Sequence, residues 1–133
     1  MIAILLAAIL QTAVPMRSIA QGLNSDIDAA RQVTVRTADE WSKLWTQHAG
    51  ESRKPEVDFN KDIVVAVFMG TRPSAAFSIE IVGTRVDGTT LIVTYKETRP
   101  APGGVAAQIL TSPYHIVAVP KGTATDVKFE RAN

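Results

Sequence analysis

Between Ile63 and Met69 the chain reads I-V-V-A-V-F-M, with no polar residue, and Gly70 ends the run. A continuous apolar run rich in β-branched side chains suits a central strand covered on both faces. Such a strand needs one packed layer on each side. A helix with a marked apolar stripe lies just upstream. Thr37 is an N-cap residue, and Glu40 three positions on completes a capping box. Trp41, Leu44, Trp45 and His48 follow at i, i+3, i+4 and i+7, which puts them on one stripe. Gly50 is a natural residue to end the helix. The spacing predicts a helix over about 38–49, packed by its tryptophans against the sheet.

The remaining signals are mostly of period two. Val33 and Val35 alternate with Thr34 and Arg36. Phe77, Ile79 and Ile81 alternate with Ser78 and Glu80, and Leu91, Val93 and Tyr95 with Thr94 and Lys96. Asp87-Gly88 marks a tight turn between the last two, so they form a hairpin. Val105–Leu110 and Tyr114–Val119 read as further strands, and Val127 and Phe129 as an edge strand. The expected fold is α+β: a mostly antiparallel sheet of five to seven strands with one main amphipathic helix packed on it.

The 133 residues make one domain, long enough for a self-sufficient core. With no cysteine, disulfides, thiol nucleophiles and a lipidated cysteine are excluded. Met1–Leu10 is almost wholly apolar but too short to span a bilayer. Ser18-Ile19-Ala20 follows as a small-x-small cleavage site, so 1–20 reads as a signal peptide. On that reading 21–32 is a flexible lead-in, 33–130 is the domain, and the protein is secreted or periplasmic with no stable membrane span after cleavage. Cleavage after Ala20 leaves 13 of the 14 basic residues against 13 acidic ones. That balance does not build the phosphate attraction of a nucleic-acid binder.

Few residues are placed for chemistry. The two histidines, His48 and His115, show no metal-ligand spacing, so no metal or cofactor is expected. Ser112 and His115 are three apart in a strand and point to opposite faces, which does not favour a serine hydrolase. Asp58, Asp62, Glu80 and Glu97 are the carboxylates whose convergence would allow glycoside chemistry. Two loops carry an arginine beside a proline after an expected strand: Gly70–Ala76, with Arg72 and Ser74, and Arg99–Gly104. A planar guanidinium in such a loop suits a partner's carboxylate. Arg72, Ser74 and Arg99 are therefore the candidate binding residues.

The order of E-W-S-K-L-W, V-D-F before the buried strand, R-P-S leading to F-S-I-E-I, and T-S-P-Y-H-I-V-A-V-P-K resembles the C-terminal domain of the protease-complex subunit PrcB, over about residues 33–130. The resemblance implies an exported, non-catalytic bacterial domain that associates with a protein partner and helps stabilise an extracytoplasmic protease. The alternatives are a small-ligand or glycan-binding module using the Arg72 and Arg99 loops and, third, an unrecognised hydrolase.

Overall fold

The computed structural model describes residues 11–104 and 108–132. In chain order the elements are β1 (Thr12–Val14), β2 (Arg17–Gly22), β3 (Arg31–Val35), α1 (Ala38–Ala49), β4 (Asp62–Phe68), β5 (Ser78–Asp87), β6 (Thr90–Thr98), β7 (Tyr114–Pro120) and β8 (Asp126–Arg131). The strands form two four-stranded sheets, ordered β1-β5-β6-β8 and β2-β7-β4-β3. Every pairing is antiparallel except β6 with β8. The α+β class and the antiparallel bias match the expectation; the strand number is higher.

The apolar run of β4 explains the layering. Ile63, Val65, Val67 and Met69 face the first sheet and pack with Ile79, Ile81, Leu91, Val93, Val117 and Val119. Val64, Ala66 and Phe68 face the other way and pack with Trp41, Leu44 and Trp45 of α1 and with Ile116. The result is sheet, sheet, helix, with β4 in the middle layer. Each fully buried aliphatic side chain in such a strand contributes about 1.5–3 kcal/mol.

Helix α1 begins and ends where the sequence predicts. Thr37 Oγ1 accepts from the Glu40 N–H at 3.2 Å, and Glu40 Oε1 accepts from the Arg36 N–H at 3.1 Å. Gly50 has φ of 61° and donates to the Thr46 carbonyl. Trp41 and Trp45 are both buried. Their indole N–H groups donate to the carbonyls of Pro55 and Ser52, each at 2.9 Å, so they also hold down the charged loop after the helix.

The N-terminal region departs from the expectation. Met1–Leu10 lies outside the described residues. Thr12–Val14 pairs with β5 and Arg17–Gly22 with β7, so the chain crosses from one sheet to the other through Pro15 and Met16. These two strands raise the count among the described residues to eight. Residues 21–32, expected as a flexible lead-in, are packed into the fold. Ser25 and Ile27 are buried. The Ser25 N–H donates to the Ser112 carbonyl, the Asp26 N–H to the His48 carbonyl, and the Asp28 carbonyl accepts from Thr71. The stretch is held by its backbone groups, which composition does not reveal, so it reads like a solvated tail.

Of the strand expected over Val105–Leu110, residues 105–107 lie outside the described residues. Gln108, Ile109 and Leu110 are exposed and unpaired with any strand.

Candidate binding surface at the loop end

The loops after β4 and β6 leave the sheets at the same end. β4 ends at Phe68 and the chain re-enters the other sheet at Ser78, whose register partner is Thr98 at the end of β6. Gly70–Ala76 and Arg99–Gly104 are therefore neighbours at one end of the molecule. Asp62, at the start of β4, pairs with Pro120 at the opposite end.

The Gly70–Ala76 loop is built rather than open. Gly70 has φ of 79°, and a Cβ there would come within 2.8 Å of the Ala30 nitrogen. Arg72 and Thr111 exchange both backbone hydrogen bonds, at 2.7 and 2.9 Å. Ser74 Oγ accepts from the Ala76 N–H, and the Ser74 carbonyl accepts from Thr111 Oγ1. The Arg72 guanidinium donates to the Met69 carbonyl at 3.2 Å and lies over the Phe77 ring at 5.6 Å. Arg72 and Ser74 thus shape their own loop. Arg99 is half-exposed and pairs with Glu97, which also meets Arg131 at 3.2 Å.

Beside Arg72 the surface turns apolar. Ile109 is 57 % and Leu110 77 % exposed, the highest values for large apolar side chains among the described residues. Next to them is a cavity of about 300 Å³ lined by Asn24, Ser25, Asp26, Thr71, Leu110, Thr111 and Ser112. Ile109 and Leu110 were legible only as strand residues. The nearby Arg99-Pro-Ala-Pro-Gly-Gly stretch, a poor ladder former, was the signal that the region is a loop.

The expected chemistry candidates do not assemble. Ser112 Oγ donates to the Ile27 carbonyl, away from His115. His115 instead meets Ser18 Oγ at 2.9 Å through Nε2, while its Nδ1 accepts from the Ile81 N–H at 2.8 Å. An Nδ1 that accepts is unprotonated, so in the neutral ring the proton is on Nε2 and points at Ser18. That tautomer cannot take a proton from the serine. Burial pushes the His115 pKa down, against an opposing pull from Glu80. The carboxylates do not converge either: Asp58 and Asp62 are at the far end from Glu80 and Glu97. Glu80 and Glu97 belong to opposite faces of the hairpin, since Glu97 shares the inward face with Leu91 and Val93. Among the described residues no group of three or more His, Asp or Glu side chains is arranged to hold a metal ion. Among them no helix is long and apolar enough to cross a membrane.

No curated protein and no solved structure matches the chain. A family model described as PrcB C-terminal matches residues 63–120. That span runs from the first core residue of β4 to the end of β7, and takes in the β5–β6 hairpin and both loops of the candidate surface. It is narrower than the resemblance over about 33–130, leaving β1, β2, β3, α1 and β8 outside. Over that span, from β4 to β7 with the loops between them, the chain is similar to a PrcB C-terminal domain.

Proposed function

We propose that this chain is an exported, non-enzymatic domain that binds a protein partner, an extracytoplasmic protease, through its loop end. The observation that carries the reading is the pair Ile109–Leu110, exposed beside the backbone-locked Arg72 loop. Apolar side chains held on a rigid base are what a protein interface uses as anchors. The family match supports a protease-complex association, by analogy of family rather than by chemistry of the site. Arg99 belongs to the rim, where its charge steers more than it binds.

Export is part of the proposal, with one change. Cleavage after Ala20 would remove β1 and most of β2, so the cut falls before Thr12. N-terminal sequencing of protein recovered outside the cytoplasm tests this: a start at Gln21 would overturn it.

The partner proposal is tested by affinity capture from culture supernatant with residues 11–133 as bait. A co-purifying protease, lost with Leu110→Asp and Ile109→Asp but retained with a substitution at the far end such as Asp87→Asn, is the expected result. Capture unaffected by both loop substitutions places the interface elsewhere.

A second reading is a small polar ligand in the cavity beside Asp26 and Thr111, whose lining offers hydroxyls, an amide and a carboxylate. The tryptophans do not support a sugar platform, because both are in the core. Glycan-array binding without protein capture would favour the second reading over the first.

A further inference from the structure

Both histidines of this chain are 3 % exposed, and each meets a serine of the same N-terminal stretch. His115, on β7, contacts Ser18 Oγ at 2.9 Å through Nε2. His48, in the last turn of α1, contacts Ser25 Oγ at 2.8 Å through Nδ1. The stretch between those serines is held otherwise mainly by hydrogen bonds, to β7, Ser112 and His48, rather than by large buried side chains. β2 is an edge strand with a register shift between Ser18 and Ala20. Beyond it, Ile27 is the one buried apolar residue before β3. A segment with few buried apolar contacts and many surface hydrogen bonds belongs to the low-stability end of a fold.

We propose that His115 and His48 form a two-point acid-released latch: neutral, they dock Arg17–Ile27 onto β7 and the end of α1; protonated, they let that segment open while the two-sheet core stays closed.

The geometry requires the neutral rings. His115 Nδ1 accepts from the Ile81 N–H, so a proton added there sets two donors against each other. The His48 ring is enclosed by aromatic rings: Trp45 at 5.1 Å, Phe68 at 5.9 Å and Tyr114 at 4.2 Å. The groups that face the rings set the balance. Glu80 on β5 favours a charged His115, and Asp26 favours a charged His48; burial outweighs both, so both pKa values fall below 6.5. Tyr114 has its pKa raised by burial and stays neutral throughout. Arg31 of β3 lies over the Phe68 ring, on which His48 also packs. In the opened segment the rings regain water and their ordinary basicity. Below pH 6.5 the open form therefore binds protons that the docked form does not, and acid drives opening.

The test is amide hydrogen exchange on the full chain, corrected for intrinsic rates, from pH 7.5 down to about 5. One unit of separation in pKa corresponds to about a tenfold change in opening for each histidine. Residues 18–27 should lose protection as pH falls below 6.5 and should stay less protected than the amides of β4 and β6 throughout, as an opening below the global one requires. His115→Asn and His48→Asn keep a polar group near Nδ1 but do not titrate. Each should shrink the pH-dependent loss, and the double variant should abolish it. Equal protection of 18–27 and of β4 at each pH would mean that both exchange only by global unfolding and would overturn the latch. An unchanged pH step in both single variants would also overturn it. Ring titration of the wild-type protein by NMR gives an answer even where a variant fails to fold. Both rings should titrate below 6.5, over the range in which 18–27 opens; a midpoint at or above 6.5 for either ring removes that ring from the device.

Discussion

The Ile81 N–H donates to His115 Nδ1 across the space between the two sheets, at 2.8 Å. β1 covers β5 only from Thr84 to Val86, so the edge of β5 before that point has no strand beside it. Side chains of the second sheet take the vacant places: His115 accepts from Ile81, and Gln21 Nε2 donates to the Ile79 carbonyl at 3.4 Å. The sandwich is closed along this side by side chains instead of a ladder.

His115→Leu should therefore leave the Ile81 N–H buried and unpaired. A loss of about 1–3 kcal/mol is expected, the desolvation cost of an orphaned donor. Denaturant unfolding at pH 7.5 measures it; unchanged stability would show that water replaces the imidazole.

Trp45→Ala should cost about 3–5 kcal/mol. The ring is buried against Trp41 and His48, and its N–H holds the Ser52 carbonyl. The midpoint of chemical unfolding checks this, and a variant as stable as wild type would place the ring outside the core.

Gly70→Ala combines two faults. The position has φ of 79°, and the new methyl would approach the Ala30 nitrogen at 2.8 Å and the Asp28 carbonyl at 3.1 Å. The left-handed conformation alone costs about 1–2 kcal/mol for a residue with a Cβ. The backbone contacts add to that, because neither neighbour can rotate away. Thermal unfolding should show a drop larger than that of Gly50→Ala, which has φ of 61° and no neighbour within 4 Å.

A chain beginning at Gln21 lacks β1, most of β2 and the Ser18 contact to His115. It should be markedly less stable than one beginning at Gln11. Circular dichroism and melting of the two proteins side by side decide it. Equal melting temperatures would mean that both strands are dispensable.

Overall stability should fall in mild acid. Both histidines have folded-state pKa values below the ordinary 6.5, chiefly through burial. The unfolded chain binds protons first, so their contribution is complete above pH 6.5 and is lost as pH falls below it. Urea midpoints measured between pH 8 and 5 should decline on the acid side; a flat profile would show that the rings are hydrated.

What was legible in the sequence is what local pattern dictates. The helix, from the Thr37 cap to Gly50, and the doubly covered strand at 63–69 follow from spacing and run length alone. The β5–β6 hairpin follows from Asp87-Gly88. Trp41 and Trp45 declare themselves core residues by sharing a stripe with Leu44. What was not legible depends on partners far along the chain. The division of strands between two sheets is set by pairings such as β4 with β7, which no local signal encodes. β2 reads as polar because one of its faces meets solvent, and Ser25 is polar because its hydroxyl meets His48 Nδ1 and accepts from the Ile27 N–H. At the candidate surface, the two arginine loops were legible from their prolines and glycines. The outward turn of Leu110 was not, since an apolar residue gives no sign of exposure until its neighbours are placed.

β1 and β8 are the two edges of one sheet, and they run in the same direction, each aligned with β6. The chain enters β1 at the hairpin end and leaves β8 at the loop end. A pull applied between these points acts along the strands, and it strains the hydrogen bonds of each edge together rather than one after another. If the chain is held at its N-terminal side and gripped at its loops, tension meets the domain in its most resistant direction.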